Sequence, residues 1–231
     1  MASAKGLLLD ALSFITRAAR VTSTRDLGHG VRAIVLAGPG LRDISWTPGD
    51  KIQLLLPTRD VRTYTPSRWE NGELELIAFD HGDSPGSTWS RSAKVDDELR
   101  FVGPQRSLKR PARPTVLFGD ETSYGLAIAF AAAAREPLTS VFEVGSEAQL
   151  QLVNELQIPR ATCIVRSASD GHIGAIATAL ADAMRADRRS ELVLSGRAQS
   201  IQLVRDRLRT LGITSKPANK AYWSVGKVGL D

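Results

Sequence analysis

The chain is short of the residues that would staple it together or anchor it in lipid. It carries one cysteine, Cys163, which excludes an intramolecular disulfide and any cysteine-based metal cluster. That thiol sits in "ATCIVR", an apolar setting that suits a buried structural side chain better than a nucleophile. The three histidines, at positions 29, 81 and 172, share no metal-ligand spacing, so no metal site is expected. Long hydrophobic runs are missing too. The longest, "GLAIAFAAAA" (125–134), is about half of what a spanning helix needs, and no membrane insertion is expected. Near the start, "KGLLLDALSFI" is broken by Asp10 and followed by no clear small-residue cleavage site. It reads as part of an amphipathic helix over residues 5–19 rather than a secretory signal. A cytoplasmic location is the natural expectation. Charge is not concentrated either: 30 Lys and Arg against 25 Asp and Glu leave +5, scattered along the chain. With no basic helix stripe and no RNA-binding motif, nucleic acid is not an expected partner. A preference for anionic small molecules fits the same charge.

What is present divides into two stretches of different grammar. Up to about residue 108 the chain is β-rich. "AARVTSTRDL", "VRAIVLAG", "KIQLLLP", "VRTYT", "ELELIAF" and "DELRFVG" are short Val-, Ile- and Leu-bearing segments between Gly, Pro and Asp turns. Six such strands at close spacing predict a small antiparallel barrel. Asn71-Gly72 in "ENGEL" is a strong hairpin signal. "KRPARP" (109–114), with two prolines, three cations and no apolar periodicity, reads as a linker. Beyond it strands alternate with helices: "TVLFGD", "TSYGLAIAFAAAARE", "LTSVFEV", "SEAQLQLVNEL", "ATCIVRS", "IGAIATALADAMRA", "ELVLSG" and "AQSIQLVRDRLRTLG". That alternation predicts a parallel sheet, whose ligands bind at the carboxyl ends of the strands. The predicted architecture is therefore a six-stranded antiparallel β-barrel over residues 15–108, a linker at 109–114, and an α/β parallel-sheet domain over 115–231.

Within the first half, "VRTYTPSRW" (61–69) puts Arg62 and Tyr64 on one face of a strand that stops at Pro66. A cation beside an aromatic ring suits an anionic planar ligand, and equally a solvated strand face. Downstream, "SPGSTW" places Gly and Ser before a short helix. Such a turn lets backbone approach a ligand, and a helix amino terminus offers free N–H groups to an anion.

Taken in order, Arg62-x-Tyr64-Thr65, His81-Gly82-Asp83, Pro85-Gly86-Ser87 with Trp89, Gly103-Pro104-x-x-Ser107, "GDET" (119–122) and "AYWSVGK" (221–227) resemble the siderophore-interacting protein family. These are FAD-dependent ferric-siderophore reductases related to ferredoxin–NADP reductases. The resemblance implies that the barrel binds FAD and the α/β domain binds NADPH or NADH. Tyr64 would stack on the isoalloxazine ring, with Thr65 near its reactive edge and His81 beside it, next to Asp83 in the same motif. Arg62 would pair with the diphosphate, which Pro85, Gly86, Ser87 and Thr88 would hold through backbone amides. Ser107 would contact the adenine end. Asp120, Glu121 and Thr122 would meet the nicotinamide nucleotide, and Tyr222 with Trp223 would close that site. The implied reaction carries electrons from NAD(P)H through FAD to Fe(III) of a ferric siderophore or ferric chelate, releasing Fe(II). The cofactor supplies the chemistry, and no catalytic acid, base or nucleophile is expected.

Each residue also has a plainer explanation. Tyr64 can pack across the barrel, Thr65 can cap a turn, and Asp120 and Glu121 suit a helix dipole. The chain departs from the family pattern in three places. No Gly-rich loop surrounds "FGDETSYG", and two carboxylates beside a pyrophosphate are unfavourable. Ser224 and Val225 stand where an Arg-Arg pair is common, and Arg197 follows Gly196 where a Glu is common. Arg166 and Arg197 are candidate ligands for a 2′-phosphate, which tilts the expectation towards NADPH. Two other readings remain open: an FAD-dependent electron-transfer reductase for another acceptor, and a flavin- or nucleotide-binding module without turnover.

Overall fold

The computed structural model describes residues 16–133 and 135–226. Two sheets organise it. The first is antiparallel and built from β1 (Arg17–Gly28), β2 (Val31–Ala37), β3 (Lys51–Leu55), β4 (Val61–Tyr64), β5 (Arg68–Glu70), β6 (Glu73–Phe79) and β7 (Glu98–Gln105). Its order is β4-β3-β7-β1-β2-β6-β5. The sheet curls into a barrel-like form that hydrogen bonding does not close, because β4 and β5 are its two edges. It has a seventh strand beyond the six expected. β5 is three residues long, too short to announce itself by alternation. Of the expected helix over 5–19, residues 5–15 lie outside the described residues, and Arg17 to Ala19 instead open β1, paired with β7.

Alternation explains how one strand can serve two cores. On β2, Ile34 and Leu36 face the barrel interior with Val21, Leu54, Leu76 and Phe101. Val31 and Ala33 point the other way and pack with Ile77 of β6 against the second half of the molecule. β2 is therefore buried on both faces.

The second sheet is wholly parallel, in the order β10-β9-β8-β11-β12. Its strands are β8 (Thr115–Asp120), β9 (Leu138–Val144), β10 (Ala161–Val165), β11 (Glu191–Arg197) and β12 (Ala218–Trp223). A short helix, α1 (Pro85–Ser92), lies between β6 and β7. The crossovers of the parallel sheet are α2 (Tyr124–Ala132), α3 (Gln149–Glu155), α4 (Ile173–Ala186) and α5 (Ala198–Thr210). β9 and α4 match the sequence reading residue for residue. α2 and α3 are shorter than read, since Glu121–Ser123 form a 3-10 turn ahead of α2. β12 is an additional strand, and it carries the "AYW" of the closing motif.

α2 is apolar all round, and the packing explains why. It is clamped between the parallel sheet and the outer face of the antiparallel one, with Tyr124, Leu126, Ala127 and Phe130 fully buried. Each such large side chain is worth roughly 1.5–3 kcal/mol on burial. The joint is tight. A Cβ on Gly49, whose φ is +97°, would lie 1.7 Å from the Leu108 carbonyl oxygen and 2.9 Å from the Phe130 ring. Only glycine fits there. Among the described residues, no helix is long and apolar enough to cross a membrane.

Candidate functional site

A cavity of about 360 Å³ opens where β4, α1 and β12 converge. Edge strand β4 supplies its floor. Register with β3 pairs Arg62 with Leu54 and Tyr64 with Ile52, so both side chains share one face. Tyr64 lines the cavity while its ring packs edge-on to the buried Trp89, centroids 5.5 Å apart. Arg62 is held by Nη1, which donates to the Val61 carbonyl at 2.7 Å. Among the described residues its Nη2 is buried without a hydrogen-bond acceptor, and the Asp60 carboxylate stands 3.8 Å away. Leaving a buried donor unbonded costs about 1–3 kcal/mol, and more when the donor is charged.

Opposite Arg62 lies the amino end of α1. Ser84 caps it by accepting from the Ser87 amide at 3.1 Å, and Pro85 takes the first position, where no amide hydrogen is needed. Ser87 Oγ accepts from the His81 amide at 3.1 Å and from Ser84 Oγ at 3.0 Å, which fixes the loop between β6 and α1. Arg91 grips Asp80 at 2.7 Å from the same helix. At the other end, Arg32 donates to the carbonyls of Ser90, Arg91 and Ala93. The carbonyl end is thus satisfied internally, while the amide end faces the cavity. Of the four residues expected to offer amides there, Pro85 has no N–H, the Ser87 amide is spent on Ser84 Oγ and the Thr88 amide on the Ser84 carbonyl, so among the described residues only the Gly86 amide is without an acceptor. Gly86 matters because a Cβ would sit 3.2 Å from Tyr64 Oη.

β12 forms the facing wall. Tyr222 Oη and Thr65 Oγ1 are hydrogen-bonded at 3.1 Å, which ties the two sheets together across the cavity. The Trp223 ring stacks on His81, centroids 5.5 Å apart and planes 11° from parallel. Trp223 Nε1 donates to Asp120 Oδ2 at 2.7 Å. Asp120 also accepts from the Thr122 and Arg197 amides, at 3.0 and 2.8 Å, and from the Thr122 hydroxyl. Burial pushes its carboxyl up to about 6, against the pull of these hydrogen bonds. Gly196 makes room for it: its φ is +100°, and a Cβ there would lie 2.6 Å from the Asp120 carboxyl carbon.

Behind Asp120, at the carboxyl ends of β8 to β11, lies an ion-pair network. Arg166 donates from Nη2 to Glu121 and from Nε to Glu143, both at 2.9 Å. Glu121 also accepts from the Gly145 amide at 2.6 Å. Arg197 Nη2 meets Asp170 at 2.6 Å and Glu143 at 3.3 Å, and its Nε donates to Ser200 at 2.6 Å. The Ser167 amide donates to His172 Nδ1 at 3.0 Å, so Nε2 carries the ring proton and donates to Glu143, also at 3.0 Å. Burial opposes ionisation of Glu143, but Ser200, Arg166 and Arg197 outweigh it and hold the carboxyl below its ordinary range. Ligand atoms of Glu143, Asp170 and His172 lie within 4.8 Å of one another, and the two guanidiniums supply the positive charge there.

The residues singled out in the sequence therefore fall into three groups. Arg62, Tyr64, Thr65, His81, Asp83, Pro85, Gly86, Ser87, Thr122 and Trp223 line one cavity. Asp120, Glu121, Arg166 and Arg197 form the adjoining network and are not part of the lining. Thr88 is exposed, accepting from Arg91 at 3.4 Å, and Ser107 is half-buried beyond β7. Sequence reasoning missed Ser84, Ile77, Phe79 and Lys220 in the lining. Ser84 was discoverable as the cap before Pro-Gly. Lys220 was discoverable by alternation with Tyr222, once "NKAYW" is read as a strand.

The residues present fit a flavin dinucleotide. The spare Arg62 donor and the α1 amide end suit a diphosphate, and the Tyr64 ring and the His81–Trp223 stack suit a planar ring system. Comparison with known proteins agrees. Residues 58–108 match the siderophore-interacting FAD-binding domain, a segment that runs from just before β4 to just past β7. No curated protein matches the chain in sequence. Among solved structures, the siderophore-interacting protein SipS from Aeromonas hydrophila is 22% identical, with TM-score 0.71 over 92% of each chain. The siderophore-interacting protein from Acinetobacter baumannii is 16% identical, with TM-score 0.70 over 91% of each. Ferredoxin–NADP+ reductase from Plasmodium falciparum is 14% identical, with TM-score 0.66 over 90% of this chain and 96% of that one. The fold is shared with siderophore-interacting proteins and ferredoxin–NADP+ reductase, and in residues 58–108 the chain resembles the siderophore-interacting FAD-binding domain, as its motifs predict.

Proposed function

We propose that this chain is an FAD-dependent oxidoreductase that takes electrons from NAD(P)H and passes them to Fe(III) held in a siderophore or similar chelate, in the cytoplasm. The single observation that carries the reading is the buried, acceptor-less Arg62 Nη2 on the same cavity as the amide end of α1. In this reading residues 15–108 form the FAD-binding domain, 109–114 the linker and 115–231 the NAD(P)H-binding domain. Arg62 and the Gly86 amide at the start of α1 bind the diphosphate. Tyr64 packs along the flavin ring, and Thr65 lies at its edge, held by Tyr222. His81 and Trp223 wall off the ring from water. Bound FAD would supply the conversion between two-electron and one-electron transfer. The protein itself supplies position and field. Lys220, a lining cation half-exposed on β12, would attract an anionic ferric chelate.

The test is an absorbance spectrum of the purified protein before and after anaerobic NAD(P)H, followed by a ferric siderophore with an Fe(II) trap. A yellow protein that bleaches, then recolours as Fe(II) is trapped, supports the reading. Bleaching without Fe(II) formation would point to another acceptor. A colourless protein that takes up no FAD would end it.

A further inference from the structure

We infer that the carboxyl edge of the parallel sheet selects a nicotinamide dinucleotide without a 2′-phosphate, because both of its arginines are already committed to carboxylates. The inference rests on the reading above that such a dinucleotide is the electron donor. It reverses the expectation drawn from Arg166 and Arg197 as residue types.

In open parallel sheets a dinucleotide lies across the carboxyl ends of the strands, where the order reverses. Here that point is the end of β8, between β9 and β11. An acidic side chain near it accepts the ribose hydroxyls of the non-phosphorylated dinucleotide, whereas a free arginine accommodates a 2′-phosphate. This edge has two arginines, and each has its Nε and Nη2 bound within the network, leaving only Nη1 without an acceptor among the described residues. Arg166 bridges Glu121 and Glu143, carboxylates whose side chains are 1% and 0% exposed. Arg197 bridges Glu143 and Asp170 and spends its Nε on Ser200. Three carboxylates thus face two guanidiniums, with Asp120 adjoining them. The His172 ring serves Glu143 as a hydrogen-bond donor through Nε2.

A 2′-phosphate entering this edge would meet only the Nη1 groups, and for the rest of each guanidinium it would compete with Glu121 and Glu143, carboxylates that solvent does not reach. It would also approach a surplus of negative charge. A ribose diol meets neither obstacle. Asp170 is the member of the network able to receive it: its side chain is 40% exposed, and its Oδ1 alone contacts Arg197. Arg197 orients that carboxylate, which makes the Arg197–Asp170 pair a device for reading hydroxyls. Lys220 lines the cavity on β12 and makes no bond to this network.

The experiment measures binding and turnover separately on the FAD-loaded protein. Calorimetry compares 5′-AMP with 2′,5′-ADP as probes of the ribose subsite, and flavin reduction compares NADH with NADPH. The expected results are AMP binding at least about threefold tighter and kcat/KM for NADH at least about tenfold higher. Asp170→Asn, at an exposed position, should narrow the NADH preference by about threefold or more. Tighter binding of 2′,5′-ADP together with faster reduction by NADPH would overturn the inference and leave the donor reading standing. Loss of that advantage in Arg166→Gln would then identify Arg166 as the phosphate ligand. If neither probe binds and neither dinucleotide reduces the flavin, the donor reading fails and the inference falls with it.

Discussion

On the barrel wall of the cavity, Arg62 has a buried Nη2 without an acceptor and α1 turns its amide end inward. On the sheet side, next to the cavity but outside its lining, Arg166 and Arg197 are each shared between carboxylates. In the proposed reading the same residue type does opposite work at adjoining sites. A donor left short of partners in a buried place is tolerated where a ligand completes it, since the protein alone gains nothing from the vacancy. A guanidinium enclosed by carboxylates stabilises the strand ends that carry them, because removing either partner would strand the other's charge. Partner saturation, rather than residue identity, separates the cation that recognises an anion from the one that holds the fold.

Both walls depend on their joint. Gly49→Ala should have the largest effect, because its Cβ has nowhere to go against Leu108 and Phe130. A loss of about 4 kcal/mol or more is expected, read as failure to fold cooperatively in a denaturant titration. On the barrel wall, Arg62→Ala should weaken FAD about 100-fold and leave riboflavin within about threefold, since only the charge-assisted bonds to the diphosphate are lost. Equal weakening of the two flavins would assign Arg62 to packing instead.

The sheet wall gives a pH signature. The folded-state pKa of Asp120, about 6, stands above its ordinary value of 3.8. Its contribution to stability is therefore complete below pH 3.8 and is lost as pH rises through about 6. Asp120→Asn should remove a slope worth about 2 kcal/mol across that window, seen as the difference between the wild-type and variant stability curves. Parallel curves would contradict the burial of that carboxyl. The smallest effect belongs to the bridge between the walls. Tyr222→Phe loses one hydrogen bond to Thr65 and should cost about 1 kcal/mol by denaturant midpoint, with the fold retained.

Much of the fold was legible because alternation and turn chemistry are local. β9 and α4 were bounded correctly from apolar periodicity, and "SPGSTW" announced α1 through its Ser-Pro-Gly start. β5 and β12 were not, since three residues beside Pro66 and a strand of mixed polarity carry no clear period. The cavity-facing set from Arg62 to Ser87 was also legible, because β4 and α1 are each continuous in sequence. The state of Arg166 and Arg197 was not. Their partners lie 23 to 45 positions away for Arg166, and 27 positions away for the Arg197 bond to Asp170. Whether a cation is spent depends on tertiary neighbours that no local pattern records.

The most direct measurement is a paired titration of flavin-free protein with FAD and with riboflavin, which has the ring but no diphosphate. Binding of FAD at least about 100-fold tighter than riboflavin is expected if Arg62 and the amide end of α1 hold the diphosphate. Equal affinity for the two, or no uptake of either, would contradict it.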